Sequence, residues 1–251
     1  MNTRLGGVVL ALAVAIAGCG LVACGSRSEV GDAPSRASAP SAAPPPAAAS
    51  RPAPARNAST APSRPRIVFL GDSLTAGLGL PMKDSYPSLI QQRIDAAGLN
   101  YDVVNAGVSG DTSAGGLSRL DWALDGDVRI LVVALGGNDA LRALSPSELK
   151  KNLATIIERA QARGITVLLA GMEAPPNFGR DYIVSFHKVY PELASTYHVA
   201  FVPFLLQGVA GIDRLNQRDG IHPTAEGARM LADTVWAALK PLAEGEKRSG
   251  S

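Results

Sequence analysis

Five short apolar runs constrain the fold of this 251-residue chain more than any other feature of its sequence. None of them shows the alternation of apolar and polar residues that marks a half-exposed strand. Each is therefore predicted to be a strand buried on both faces, as in a parallel sheet. The runs are Ile67–Leu70, Tyr101–Val104, Ile130–Leu135, Ile165–Ala170 and Val199–Phe204.

Helix candidates lie between these runs, and a final one follows the last run. They are Tyr86–Ala97, Gly116–Leu124, Pro146–Arg163, Tyr182–Tyr197 and Pro223–Leu239. A strand followed by a helix, five times over, predicts the α/β class: a three-layer α/β/α sandwich around a five-stranded parallel sheet with right-handed crossovers.

The N-terminal quarter of the chain has a different composition. One positive charge and then a short apolar run over 5–18 have the layout of a secretory signal, and the run is too short to span a bilayer. Residues 25–64 are mostly Ala, Pro and Ser and cannot bury enough apolar surface to fold. We predict a signal peptide over 1–24, a disordered linker over 25–64, one domain over 65–245 and a disordered tail over 246–251.

The two cysteines of the chain, Cys19 and Cys24, both lie in the leader. The stretches Ile16–Cys19 and Leu21–Cys24 resemble the lipobox of bacterial lipoproteins, in which the cysteine sulfur carries a diacylglycerol. The resemblance implies a lipid anchor at one of these cysteines, with the domain held on a bacterial membrane outside the cytoplasm. The Gly after each cysteine resembles a signal for the outer membrane, on its periplasmic side. The alternative is an ordinary signal peptide with incidental cysteines, which would leave a free periplasmic protein.

Charge and histidine content exclude several functions. Residues 66–251 carry 18 Lys and Arg against 20 Asp and Glu, without a basic stripe, so nucleic acid is not an expected partner. The three histidines, His187, His198 and His222, lack metal-ligand spacing. We therefore expect no metal and no cofactor.

Polar clusters follow the predicted strands at the edge of the sheet where open α/β folds bind their ligands. Taken singly, each could be a turn or a helix cap. Together they fall on one edge, and the last precedes the final helix. The clusters are Gly71–Leu74, Asn105–Asp111, Gly136–Asp139 and Asp219–Pro223.

These clusters contain the groups that acyl transfer needs. A serine such as Ser73 needs an imidazole to accept its proton, and the imidazole needs a carboxylate to orient it. Asp219 and His222, three residues apart, can supply that pair. Gly110 and Asn138 are suitable donors for a developing oxyanion. The elbow motif G-x-S-x-G is absent, since Thr75 stands where the second glycine would be.

The same four blocks resemble those of the SGNH (GDSL) hydrolases, over about residues 67–242. The spacing is most similar to the bacterial branch of multifunctional acyl-CoA thioesterases, lysophospholipases and arylesterases. The resemblance implies a five-stranded parallel sheet in the flavodoxin-like order 2-1-3-4-5. It also implies a serine ester hydrolase that works through an acyl-enzyme intermediate.

The resemblance further implies a role for each matched residue. Ser73 would be the nucleophile, His222 the general base and then acid, and Asp219 the orienting carboxylate. The oxyanion would be held by the backbone N–H groups of Ser73 and Gly110 and by the Asn138 side chain. For Asp72, Asp111 and Asp139, which lie near these residues, we expect capping and loop-fixing roles.

The substrate pocket is expected from loops over the same edge, which are mostly apolar: Leu78, Leu80, Pro81 and Met172–Tyr182. This favours aryl or medium-chain acyl esters and thioesters over highly polar sugars, so we expect a small acyl ester, thioester or lysophospholipid as the substrate. We also expect a monomer. A polysaccharide or cell-wall O-deacetylase is an alternative within the same chemistry. A non-catalytic binding lipoprotein is an alternative of another class.

Overall fold

The computed structural model describes residues 64–249, and side chains as far as residue 245. The predicted signal peptide, nearly all of the predicted linker, and the lipidation candidates Cys19 and Cys24 lie outside the described residues.

The described residues form a five-stranded sheet in the order β2-β1-β3-β4-β5. All four neighbouring pairs are parallel. Helices cover both faces of the sheet, so the predicted α/β/α sandwich and its strand order are confirmed. The strands are β1 Arg66–Gly71, β2 Asp102–Gly107, β3 Val128–Ala134, β4 Thr166–Ala170 and β5 Ala200–Val202.

Eight α-helices connect or follow the strands in the described part of the chain. They are α1 Ser73–Ala76, α2 Tyr86–Ala96, α3 Ser113–Ser118, α4 Leu120–Ala123, α5 Gly137–Leu141, α6 Pro146–Gln161, α7 Arg180–Tyr197 and α8 Ala225–Ser249. Between residues 64 and 249, none of these helices is both long enough and apolar enough to cross a membrane.

Two helix predictions are corrected by the structure. The predicted helix 116–124 is two short helices, α3 and α4, separated at Arg119, where φ is −108° and ψ is 12°. The last helix begins after Thr224, whose Oγ1 accepts the N–H of Gly227 at 3.3 Å. It continues to Ser249, well past the predicted end and into the stretch for which a disordered tail was predicted.

The prediction that every strand is buried on both faces is wrong for both edge strands of the sheet. In β5 only Val202 is buried, and the difference is larger in β2. Its Asp102 and Asn105 are exposed, and Val103 and Val104 are half-buried. The reason is topological, because β2 pairs only with β1 and forms an edge of the sheet. The central strands β1 and β3 are almost wholly buried, as predicted.

Helix α1 is held against the sheet by a buried polar contact. Thr75 Oγ1 lies 2.8 Å from the hydroxyl of Tyr86, whose ring packs edge-on against Phe69 with centroids 5.6 Å apart. Asn105 at the end of β2 donates to the carbonyl of Thr75 at 2.8 Å. A Cβ at Gly107 would lie 2.3 Å from the backbone N of Ala76. Helix α1 therefore sits directly on the backbone of β2.

The close contact at Gly107 predicts the effect of a single methyl group there. Gly107→Ala should lower the free energy of unfolding by about 1–3 kcal/mol, because the backbone of α1 must move away. Gly245→Ala is the matched control: its Cβ would meet no atom within 4 Å, and alanine should stabilise that helix by up to about 1 kcal/mol. Urea denaturation of both variants measures the difference, and equal stabilities would contradict it.

Candidate active site

Ser73 lies at the turn from β1 into α1, where it is the first residue of the helix. The side chain of Asp72 caps this helix, since its Oδ1 accepts the N–H of Leu74 at 3.0 Å. A Cβ at Gly71 would lie 2.0 Å from Thr75 Oγ1 and 2.9 Å from the carbonyl of Ala134, so only glycine fits the start of the turn.

A chain of hydrogen bonds joins Ser73, His222 and Asp219. Ser73 Oγ lies 2.8 Å from His222 Nε2, and His222 Nδ1 lies 2.7 Å from Asp219 Oδ2. When Nδ1 carries the proton and donates to Asp219, Nε2 is left to accept the serine hydroxyl. The structure thus brings together three side chains that lie up to 149 residues apart in the sequence.

The carboxylate of Asp219 is fixed in orientation and in charge. Its Oδ1 accepts the backbone N–H groups of Ile221 at 2.9 Å and His222 at 3.0 Å. The backbone N–H of His222, then its ring, then the N–H of Ile221 lower the pKa of Asp219 well below its usual range. Asp219 is therefore ionised at neutral pH and can stabilise a protonated His222 ring.

Gln217 joins the loop of His222 to the loop that follows α1. Its Nε2 donates to the carbonyls of Leu78 at 2.7 Å and Pro223 at 2.9 Å, and its backbone N–H donates to the carbonyl of His222 at 2.7 Å. Sequence reasoning missed this residue, because nothing in its local pattern distinguishes it from a surface glutamine. Gln217 sets the position of the imidazole relative to the turn that carries Ser73.

The three residues predicted to supply oxyanion donors, Ser73, Gly110 and Asn138, line one cleft together with His222. The predicted donors are the backbone N–H groups of Ser73 and Gly110 and the side-chain amide of Asn138. Within residues 64–249, neither backbone N–H has a hydrogen-bond partner. Asn138 Nδ2 donates to the carbonyl of Asp111 at 3.0 Å and lies 3.3 Å from Asp72 Oδ2. All three predicted donors are therefore gathered at one place.

Two glycines make the approach of Asn138 possible. Gly136 has φ +117°, and a Cβ there would lie 2.0 Å from the hydroxyl of Tyr190, which donates to the carbonyl of Leu135 at 3.0 Å. Gly137 faces Asp72, whose Oδ2 would lie 3.2 Å from a Cβ at that position. Side chains at these positions would displace Asn138 from the cleft.

The other two aspartates near the site hold loops, as expected. Asp139 is buried and accepts both the N–H and the Oγ–H of Ser113, at 2.8 and 2.6 Å. Asp111 pairs with Arg119 at 2.6 Å. Neither of the remaining histidines lines the cleft: His187 pairs with Glu173, which does line it, and His198 ends α7 in a left-handed conformation.

Asp72 is a buried carboxylate beside the reacting groups. Burial raises its pKa to about 6, although the N–H of Leu74, the charge of His222 and the amide of Asn138 all lower it. Its capping role is confirmed by the hydrogen bond to Leu74. Its contact with Asn138 was not predicted, because it joins two blocks that lie 66 residues apart.

The cleft above Ser73 has a volume of about 670 Å³ and is lined mainly by apolar side chains. Among the predicted pocket residues, Leu78, Met172, Pro175 and Pro176 line it, but Leu80, Pro81 and Phe178 do not. Sequence reasoning missed six apolar lining residues that come from α5, the loop after β5 and the histidine loop: Ala140, Leu141, Phe204, Leu206, Ala210 and Ile221.

Comparison with known proteins agrees with this geometry. The model of the GDSL-like lipase/acylhydrolase family matches residues 69–230. The chain belongs to this family.

Three similar proteins are named as esterases or thioesterases. Esterase TesA of Pseudomonas aeruginosa is 45% identical over 177 residues, which cover 70% of this chain and 88% of that protein. The arylesterase of Vibrio mimicus is 34% identical, with 72% of this chain and 92% of that protein covered. Thioesterase 1/protease 1/lysophospholipase L1 of Escherichia coli K12 is 35% identical, with 72% and 86% covered.

The crystal structure of TesA superposes on this chain with a TM-score of 0.68 at 44% sequence identity. The superposition covers 70% of this chain and 99% of TesA. Family membership, the fold and these relatives identify the chain as a carboxylic ester hydrolase of the SGNH type.

The buried carboxylate of Asp72 predicts a pH-dependent stability. The folded state holds the proton of Asp72 up to about pH 6, against about 4 in an unfolded chain, so the wild type loses stability as pH rises through this window. Asp72→Asn should therefore raise the free energy of unfolding at pH 8 by about 1–3 kcal/mol, and the gain should vanish below about pH 4.

Urea denaturation at pH 4, 6 and 8 tests this prediction. Asp125→Asn, at an exposed position, is the control and should change stability by less than about 0.5 kcal/mol at each pH. An Asp72→Asn variant that gains more stability at pH 4 than at pH 8 would show that the sign is wrong.

Proposed function

We propose that Ser73 is the nucleophile of this hydrolase, that His222 is its general base and acid, and that Asp219 orients His222. The observation that carries the proposal is the continuous hydrogen-bond chain from Ser73 Oγ through His222 to Asp219. Such a chain lowers the barrier to attack, because the serine proton moves to an imidazole whose cation is stabilised beside an ionised carboxylate.

The reaction follows from these positions. Ser73 Oγ attacks the carbonyl carbon of the ester while its proton passes to His222 Nε2. The tetrahedral oxyanion is held by the N–H groups of Ser73 and Gly110 and by the amide of Asn138, whose Nδ2 gives up its 3.3 Å contact with Asp72 Oδ2 to reach the oxyanion. His222 then protonates the leaving alcohol or thiol, and the acyl group stays on Ser73. Water, deprotonated by His222, attacks the acyl carbon. The bond to Ser73 Oγ then breaks, His222 returns the proton to Oγ, and the carboxylic acid is released.

The apolar cleft supports a substrate with an apolar acyl or aryl group. Its volume of about 670 Å³ is sufficient for a medium-length acyl chain. Esters and thioesters of such chains, and lysophospholipids, match both this lining and the names of the relatives. The acetyl group of a glycan would leave most of the apolar lining in contact with water, so the cleft favours the lipid-like substrates.

The N-terminal segment suggests where in the cell this activity takes place. We propose that the leader directs the chain out of the cytoplasm and that Cys19 or Cys24 carries a lipid anchor on the periplasmic side of the outer membrane. The two lipobox-like stretches and the following glycines support this. The segment 25–64 would then act as a tether between the membrane and the hydrolase domain.

Turnover of a graded series of p-nitrophenyl esters tests the catalytic proposal. kcat/KM should rise from acetate to a medium-length acyl ester, because each buried methylene contributes about 0.8 kcal/mol.

Ser73→Ala should abolish turnover. Asn138→Ala should lower kcat by about 10²-fold, the usual effect of losing one oxyanion donor. The matched control Gln161→Ala removes an exposed amide that donates to the carbonyl of Tyr197 outside the cleft, and it should retain near-normal kcat. Wild-type protein that is folded but inert toward every ester, thioester and lysophospholipid would overturn the proposal.

Metabolic labelling tests the anchor. The full chain, expressed in a Gram-negative host, should incorporate labelled palmitate and partition into detergent. One of the substitutions Cys19→Ser and Cys24→Ser should abolish both properties, and the other serves as its control. A wild-type chain that takes up no label and stays in the aqueous phase would refute lipidation while leaving the catalytic proposal intact.

A further inference from the structure

Arg119 is a semi-buried guanidinium with three partners at the edge of the sheet that carries the site. Its Nε donates to Asp111 Oδ2 at 2.6 Å. Its Nη1 donates to the carbonyl of Ala106 at 2.7 Å, and its Nη2 to the carbonyl of Gly71 at 2.9 Å. These partners belong to the end of β1, the end of β2 and the loop after β2.

The carbonyl of Gly71 is the point where these elements meet. It accepts the N–H of Val108 at 3.0 Å as well as Arg119 Nη2, so both of its lone pairs are used. Gly71 stands two residues before Ser73, and Val108 two residues before Gly110. The strand that delivers the first oxyanion donor is thereby linked to the loop that delivers the second.

Arg119 adds a second link on the other side of Gly110. Asp111 follows Gly110 directly, and its carboxylate is held by Arg119 Nε while its carbonyl accepts Asn138 Nδ2 at 3.0 Å. Gly110 has φ +85°, a left-handed conformation that the loop must maintain, and its N–H has no hydrogen-bond partner among residues 64–249. The loop is therefore fixed before and after Gly110, and the third donor is tied to it.

The environment of Arg119 makes these contacts strong. The Arg119 and Asp111 side chains are only 17% and 18% exposed, so the pair is partly shielded from solvent. A planar guanidinium can hold a carboxylate and two carbonyls in fixed directions, which an ammonium group cannot do. By contrast, Arg142 also donates to the carbonyl of Gly110, at 2.9 Å, but from an exposed side chain.

We propose that Arg119 is a positioning residue for the oxyanion hole: it sets the spacing of the Ser73, Gly110 and Asn138 donors without touching the substrate. This inference rests on the proposed catalytic function of Ser73. Because the oxyanion forms only after attack, a displaced Gly110 N–H should weaken binding of the transition state and leave binding of the ester nearly unchanged.

Four variants of the full chain test this proposal: Arg119→Gln, Arg119→Lys, Asp111→Asn and the control Arg93→Gln. Arg93 makes a similar 2.6 Å contact, with Asp233 on α8, and lies outside the cleft. Turnover of p-nitrophenyl butyrate, inhibition by an alkyl boronic acid and thermal unfolding are measured for each. The boronic acid forms a tetrahedral adduct with a serine hydroxyl and so reports on the oxyanion hole.

Arg119→Gln and Arg119→Lys should each lower kcat by about 10- to 100-fold, part of the effect of removing a donor outright. KM should change by less than about threefold, and the affinity for the boronic acid should fall in parallel with kcat. Asp111→Asn should show a smaller loss of the same kind. Arg93→Gln should lose some thermal stability and keep kcat within about twofold of the wild type.

The proposal is overturned if folded Arg119→Gln keeps wild-type kcat, if its loss lies in KM alone, or if Arg119→Lys restores turnover. An equal loss in Arg93→Gln would also overturn it, because a general loss of stability would then explain the effect. If Arg119→Gln does not fold, Asp111→Asn decides the question by the same measurements. Failure of the catalytic proposal is distinguished separately, since Ser73→Ala would then turn over substrate as the wild type does.

Discussion

The pairing of β1 between β2 and β3 is the constraint on which the rest of the site depends. Gly71 at the end of β1 is in register with Gly107 on one side and with Ala134 on the other. Because parallel strands end at the same edge of a sheet, the three following segments leave it at one level. Ser73, Gly110 and Asn138 are carried by those segments. A shift of one residue in either pairing would separate the proposed nucleophile from its oxyanion donors.

Backbone atoms are crowded at the edge where these segments meet. Glycine residues make this close packing possible. Gly71, Gly107 and Gly136 each lie where a Cβ would come within 2.0–2.3 Å of a neighbouring atom. The close approach leaves buried and partly buried carbonyls and N–H groups, and side chains satisfy several of them. Arg119 and Asn105 supply donors to these carbonyls, and Asp72 and Asp139 accept buried N–H groups. The polar side chains around the proposed triad are thus needed, before any role in the reaction, because the backbone is packed so closely here.

Charge is distributed unevenly over this edge. Asp219 is partly exposed, holds two backbone N–H groups and the ring of His222, and has a lowered pKa. Asp72 is buried, and its pKa is raised to about 6. In the proposed reaction the first carboxylate would stabilise a cation on His222. The second destabilises the fold at neutral pH, yet its side chain caps α1 and contacts the amide of Asn138.

The sequence by itself determined the class of the fold, the order of its elements and the residues of the candidate site. Unbroken apolar runs are a local signal, and the four polar blocks around Ser73, Gly110, Asn138 and His222 are local motifs, so neither requires knowledge of distant contacts. Only the tertiary structure decided how far β2 is exposed, that Leu206 and Ala210 line the cleft, and that Arg119 joins β1 to the loop of Gly110. Those properties depend on which segments become neighbours. Arg119 and Gly71 lie 48 residues apart, and no local pattern records that a guanidinium will reach that particular carbonyl.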